Sequence, residues 1–152
     1  MNLQLTKFFT LEELYKSAKA DALKLDNTPP ENILPNLKQL AMLLESVRTA
    51  LGKPMNISSA YRCPKLNEAV GGSKTSAHAI GLAADFTVKG LTPRQICLAI
   101  INAGIQFDQL ILESVSTANP DGVWVHIGLS TTPLRNQVLT MKSGKYFTGL
   151  IK

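Results

Sequence analysis

The sequence predicts an α+β fold, with N-terminal helices packed on a small antiparallel sheet. Three observations carry that prediction. Apolar residues recur at helical spacing in the first third of the chain, as in Leu37, Leu40, Leu43, Leu44 and Val47. From Met55 onward, short apolar stretches of strand length become common. Eight prolines and ten glycines are spread along the chain, which implies many short elements and turns.

The first helix starts at Phe9-Thr10-Leu11-Glu12-Glu13-Leu14 and runs to about Ala20. Thr10 is its N-cap, Glu13 closes a capping box, and Phe9 staples onto Leu14. The Pro29-Pro30 pair closes a connecting loop. A second helix covers roughly Glu31 to Leu51, with Pro35 near its start and Gly52 at its end. Met55 to Ala60 is strand-like and leads into Tyr61-Arg62. A short helix from about Pro64 to Val70 stops at Gly71-Gly72. Leu82 to Val88 is a strand, and Thr92-Pro93 caps a helix to about Ala103, with Gly104 beyond it. Three more strands are expected over Phe107–Glu113, Val123–Leu129 and Gln137–Lys142. There is no internal repeat and no linker, so residues 1–152 read as one domain. Its length allows roughly two-thirds of the unfolded surface to be buried.

Sixteen Lys plus Arg against 11 Asp plus Glu give a formal charge of +5. That balance favours an anionic partner such as nucleic acid, acidic lipid or bacterial wall polymer, and equally fits a solvated basic surface. No basic run interleaved with aromatics supports nucleic-acid recognition. Cys63 and Cys97 are too few and too far apart for a disulfide framework or a metal knuckle, so reduced thiols are expected. The segment Met1 to Lys7 lacks the basic and apolar regions of a secretory signal. No stretch approaches a membrane span, so stable membrane insertion is not expected. The expectation is synthesis in the cytoplasm, with any work outside requiring another export route or lysis. A monomer is expected.

The chain has two histidines, His78 and His126. Strand alternation places His126 opposite the apolar face Val123, Val125, Ile127. It likewise places Asp85 opposite Leu82, Ala84, Phe86 and Val88, beside the small Ala83 and Thr87. His78 lies in a loop that must turn back onto the Asp85 strand, and Gly81 supplies the permissive backbone for that turn. Two imidazoles and one carboxylate make a three-ligand metal set with an open position for water, as in hydrolytic zinc sites. Ligand type alone also admits iron, although such triads usually belong to long all-β barrels, which this chain lacks.

The motifs Ser59-Ala60-Tyr61-Arg62, Asn67, Val70-Gly71-Gly72, Ser76-x-His78-x-x-Gly81-x-Ala83-x-Asp85 and Trp124-Val125-His126 resemble the zinc D-Ala-D-Ala carboxypeptidase family. Within it the chain is most similar to short single-domain members found in phage and prophage lysis or tail proteins. The resemblance runs from about Phe8 to Leu129. It implies hydrolysis of amide bonds in peptidoglycan stem peptides, with His78, Asp85 and His126 holding Zn²⁺ and its water. It also implies that Arg62 contacts substrate near the scissile carbonyl and that Ser76 helps to bind it. A role on the cell wall would follow release by lysis or carriage in a virion.

The general base departs from better-known branches. Some carry a Glu three residues before the last ligand, where this chain has Val123, and others a His two before it, where it has Trp124. Glu113 is the expected catalytic acid–base, because a hairpin from its strand to Val123 sets it near His126, and its apolar neighbours raise its pKa. Asp121, in a turn, is the second candidate, and Asp108 is expected to be structural. A Cys63 nucleophile would need a histidine base, and both histidines are better explained as ligands. The expected activity is a carboxypeptidase or an endopeptidase. The alternative is a zinc-bound, non-catalytic domain that binds cell wall or protein, favoured by the missing base at the usual positions.

Overall fold

A computed structural model describes residues 2–152; Met1 lies outside the described residues. The helices are α1 (Ala18–Ala22), α2 (Leu34–Leu51), α3 (Pro64–Ala69) and α4 (Pro93–Asn102), with 3-10 turns at Glu12–Leu14, Glu31–Ile33 and Ala77–Ile80. The strands are β1 (Asn56–Ser59), β2 (Ala83–Thr87), β3 (Gln109–Val115), β4 (Trp124–Gly128), β5 (Gln137–Lys142) and β6 (Lys145–Thr148). They form one six-stranded sheet in the order β1-β2-β4-β3-β5-β6. The α+β class and the N-terminal helices follow expectation.

One face of the sheet carries the core. Ala84 and Phe86 of β2, Leu110 and Leu112 of β3, and Val125 and Ile127 of β4 are all fully buried. They belong to one hydrophobic cluster with Leu37, Leu40, Leu44 and Val47 of α2 and with Ile96 and Ile100 of α4. Period-2 alternation then leaves Asp85, His126 and Glu113 on the other face. Val123 departs from the expected core face: it precedes β4 and is 44% exposed.

The sheet is mixed rather than wholly antiparallel, because β3 and β5 run parallel. The connection 129–136 crosses the start of β3 and sets β5 on its far side. Two bonds from the Arg135 guanidinium to Asp108, of 3.0 and 2.7 Å, hold that crossing. Asp108 is therefore a structural anchor, as expected. Strand β6 was not expected from the sequence. It returns through Ser143 (φ 51°) and Gly144 (φ 79°), a two-residue left-handed pair of the kind that closes a hairpin.

The first helix is also shorter and broken. Thr10 Oγ1 does accept from Glu13 N, and Phe9 and Leu14 are buried as a staple requires. The carbonyls of Leu14 and Tyr15 are then taken by Tyr61 N (2.8 Å) and by Asn27 Nδ2 (2.6 Å). A continuing helix would need both acceptors, so it stops, and Ser17 caps α1 anew. The second helix runs as expected to Leu51, with Gly52 left-handed at its end, but its first turn is 3-10.

Gly81 reverses the chain between the 77–80 turn and β2 at φ +75°, where an added Cβ would lie 2.8 Å from Ile33 Cγ2 and 3.1 Å from Leu37 Cδ2. Backbone strain and overpacking therefore add. Gly81→Ala is expected to lower stability by about 2–4 kcal/mol in urea unfolding. An unchanged midpoint would show that this turn does not constrain the fold.

Candidate metal centre

His78, Asp85 and His126 converge on the cleft face of the sheet. Their potential ligand atoms lie within 4.8 Å of one another. Asp85 and His126 are direct register partners on β2 and β4, and His126 Nδ1 lies 2.9 Å from Asp85 Oδ1. His78 arrives from the 77–80 turn, which Ser76 caps by accepting from His78 N (3.2 Å). Its ring is buried. Nδ1 lies 2.7 Å from Ala60 O, which only accepts, so Nδ1 carries the proton and Nε2 presents its lone pair 3.4 Å from Asp85 Oδ2.

Burial alone would raise the Asp85 carboxyl. The two imidazoles beside it, His126 at hydrogen-bond distance first and then His78, outweigh burial and hold the group well below the usual carboxylate range. An ionised carboxylate and two imidazole nitrogens fit a divalent metal, and three protein ligands leave a position open towards the adjoining cavity.

That cavity, of about 720 Å³, is lined by Arg62, Ser76, Glu113, Trp124 and Tyr146 as well as by the three converging residues. Ile111 of β3 pairs with His126, and Glu113 pairs with Trp124. Glu113 is thus a diagonal neighbour of His126 on the same face. Glu113 is buried, at 7% exposed. Burial raises its pKa from an ordinary 4.5, His126 partly opposes this, and Asp85 reinforces it.

A bulge follows at once. Leu112 pairs with Thr140 but Val115 with Lys142, and Ser114 is left-handed at φ 63°. The extra residue returns Val115 to the core, so Glu113 is the last cleft-facing position of β3. Gly122 closes the same hairpin at φ +84°, where a Cβ would fall 2.6 Å from Leu112 Cδ1 and 3.0 Å from Glu113 O.

On the opposite flank, the Arg62 guanidinium donates through Nη2 to Ser76 Oγ (3.3 Å), while Nε is buried without a partner. Burial lowers its pKa and Asp85 opposes that change. Arg62 N bonds His78 O at 3.0 Å. Asn27 brackets the residue on both sides, with Oδ1 accepting from Cys63 N (2.7 Å) and Nδ2 donating to Tyr61 O (3.1 Å). Sequence reasoning missed Asn27, because its partners are backbone groups 34 and 36 residues away.

Other candidates fall outside this group. Asp121 is tied to Arg94 Nε at 2.9 Å beside the start of α4 and does not line the cleft, which removes it as the second base candidate. Cys63 caps α3 through its sulfur. Burial pushes the Cys97 thiol up to about 12. Trp124, in register with Glu113, lines the cleft. Tyr146 was missed with its strand, although the Ser143-Gly144 dipeptide was the available turn signal.

Two outcomes are expected from these environments. A divalent metal at about a hundred times its dissociation constant should stabilise the protein by about 2.7 kcal/mol, and His126→Ala should abolish that gain in thermal melts. Equal metal response in both proteins would exclude this site. The raised Glu113 pKa means that the folded state binds its proton more tightly than the unfolded state. Its contribution to stability is present below 4.5 and lost as pH rises through the raised value. Glu113→Gln should therefore melt higher than the parent at neutral pH, with the difference shrinking in acid.

No curated protein sequence matches the chain. Residues 7–117 match the family model described as Peptidase M15, a span that ends past Glu113 and contains Arg62, Ser76, His78 and Asp85. His126 lies beyond that span but completes the same donor group. With most of its length matched, the chain belongs to the peptidase M15 family.

Proposed function

We propose that this protein is a zinc-dependent peptidase that hydrolyses amide bonds in peptidoglycan stem peptides, as a carboxypeptidase or an endopeptidase. The observation that carries the reading is a two-histidine, one-carboxylate donor group opening onto a cleft that also holds a buried glutamate and a half-buried arginine. Family membership supports peptide hydrolysis. The formal charge of +5 suits an anionic wall. Action on the wall after lysis, or from a virion, belongs to the same proposal.

Zinc at His78, Asp85 and His126 would supply an acidified water and polarise the scissile carbonyl. Glu113 takes the proton from the attacking water and passes it to the leaving nitrogen. Its raised pKa suits both halves of that transfer. Arg62 places a fixed positive charge where negative charge develops on the carbonyl oxygen, and Ser76 orients it through Nη2. Ser76 and Trp124 also contact the stem peptide from the cleft walls.

The test is release of new amino termini from purified peptidoglycan by the zinc-loaded protein. Glu113→Gln is expected to lower kcat by about 10²–10⁴-fold while zinc content is kept. Because the base works only when ionised, activity should rise with pH through a value above the ordinary 4.5 of a glutamate. A folded, zinc-loaded protein that releases nothing from several wall types would overturn the reading in favour of a non-catalytic binding domain.

A further inference from the structure

The geometry points to Tyr146 as a substrate-contacting residue, whose phenolic O–H donates a hydrogen bond to the peptide on the leaving-group side of the cleft. This inference rests on the peptidase reading above. Strand register places the residue. Leu139 of β5 pairs with Ile111 of β3, so Leu139 and, two residues on, Met141 share the cleft face. Met141 pairs with Tyr146 of β6, which puts the tyrosine on that face as well. Two strand spacings, roughly 10 Å, separate β6 from β3. The Tyr146 side chain is directed into that gap, since it lines the same cavity as Glu113, Asp85 and His126.

The order of strands gives the side of the substrate it meets. Arg62 follows β1 at one edge of the sheet, and Tyr146 stands on β6 at the other. Asp85, His126 and Glu113 lie on β2, β4 and β3 between them. A peptide whose scissile carbonyl faces Arg62 therefore extends past Glu113, the donor to the leaving nitrogen, towards Tyr146. A phenol keeps its proton at neutral pH and so can donate; partial burial and then the charges of Glu113 and Asp85 push its pKa further up. At 60% exposed, the residue is open to a ligand rather than committed to the core. Tyr146 also lies outside residues 7–117, the span shared with the family.

Tyr146→Phe and Tyr146→Ala are compared with the parent for amine release from purified peptidoglycan. Zinc content and melting temperature are measured on each. A synthetic stem peptide is also titrated into zinc-loaded Glu113→Gln protein with and without Tyr146→Phe. Loss of about three- to tenfold in kcat/KM and in peptide affinity for Tyr146→Phe, with zinc content and melting unchanged, is expected for one hydrogen bond. An active parent matched by Tyr146→Phe overturns the hydrogen bond and leaves the peptidase reading standing. Loss confined to Tyr146→Ala overturns it also, because the ring alone would then make the contact. A parent that neither cuts nor binds stem peptide overturns the peptidase reading, and this proposal with it.

Discussion

The pairing of β2 with β4 in the register that opposes Asp85 to His126 is the constraint on which the site depends. Each strand buries its alternate residues completely, Ala84 and Phe86 on one and Val125 and Ile127 on the other. A slip of one residue would turn Asp85 or His126 into the core and expose the apolar set. The hydrophobic core thus enforces the distance between two polar groups on the opposite face. His78 is added from outside the sheet, and its approach depends on Ala60 O, which terminates one ring nitrogen and frees the other.

Around that pair, several groups stand in environments that folding alone would not favour. Glu113 is buried and holds its proton more tightly than usual, Arg62 Nε is buried without a partner, and Ser114 is left-handed. Unpaired buried donors and left-handed non-glycine residues each cost on the order of 1–3 kcal/mol. Arg62 and Glu113 line one cleft, and Ser114 follows Glu113 directly in the bulge. The surroundings hold the two cleft residues in place: the β3–β4 hairpin with its bulge positions Glu113, and Asn27 with Ser76 positions Arg62. Rigid supports of this kind allow charged groups to face substrate without collapsing onto one another.

Much of this was legible locally. The alternation of Leu82-Ala83-Ala84-Asp85-Phe86 and of Trp124-Val125-His126-Ile127 set the facing of both strand ligands. The sequence pattern predicted a strand ending at Glu113; β3 runs on to Val115 and pairs Glu113 with Trp124, two residues from His126. Legibility ended where partners are remote. The break after Leu14 is caused by Tyr61 and Asn27, which intercept helix carbonyls. The parallel placement of β5 is held by Arg135 on Asp108 across 27 residues.

What the sequence by itself determined is the chemistry available and the face on which each group would lie, because both follow from residue type and from the short periods of helix and strand. What only the tertiary structure decided is which of those groups meet. Asp121 was drawn away to Arg94, Tyr146 was brought in by an outer hairpin, and Arg62 was clamped by Asn27. These outcomes rest on hydrogen bonds and strand order between distant segments, which residue type and the short periods of helix and strand do not specify.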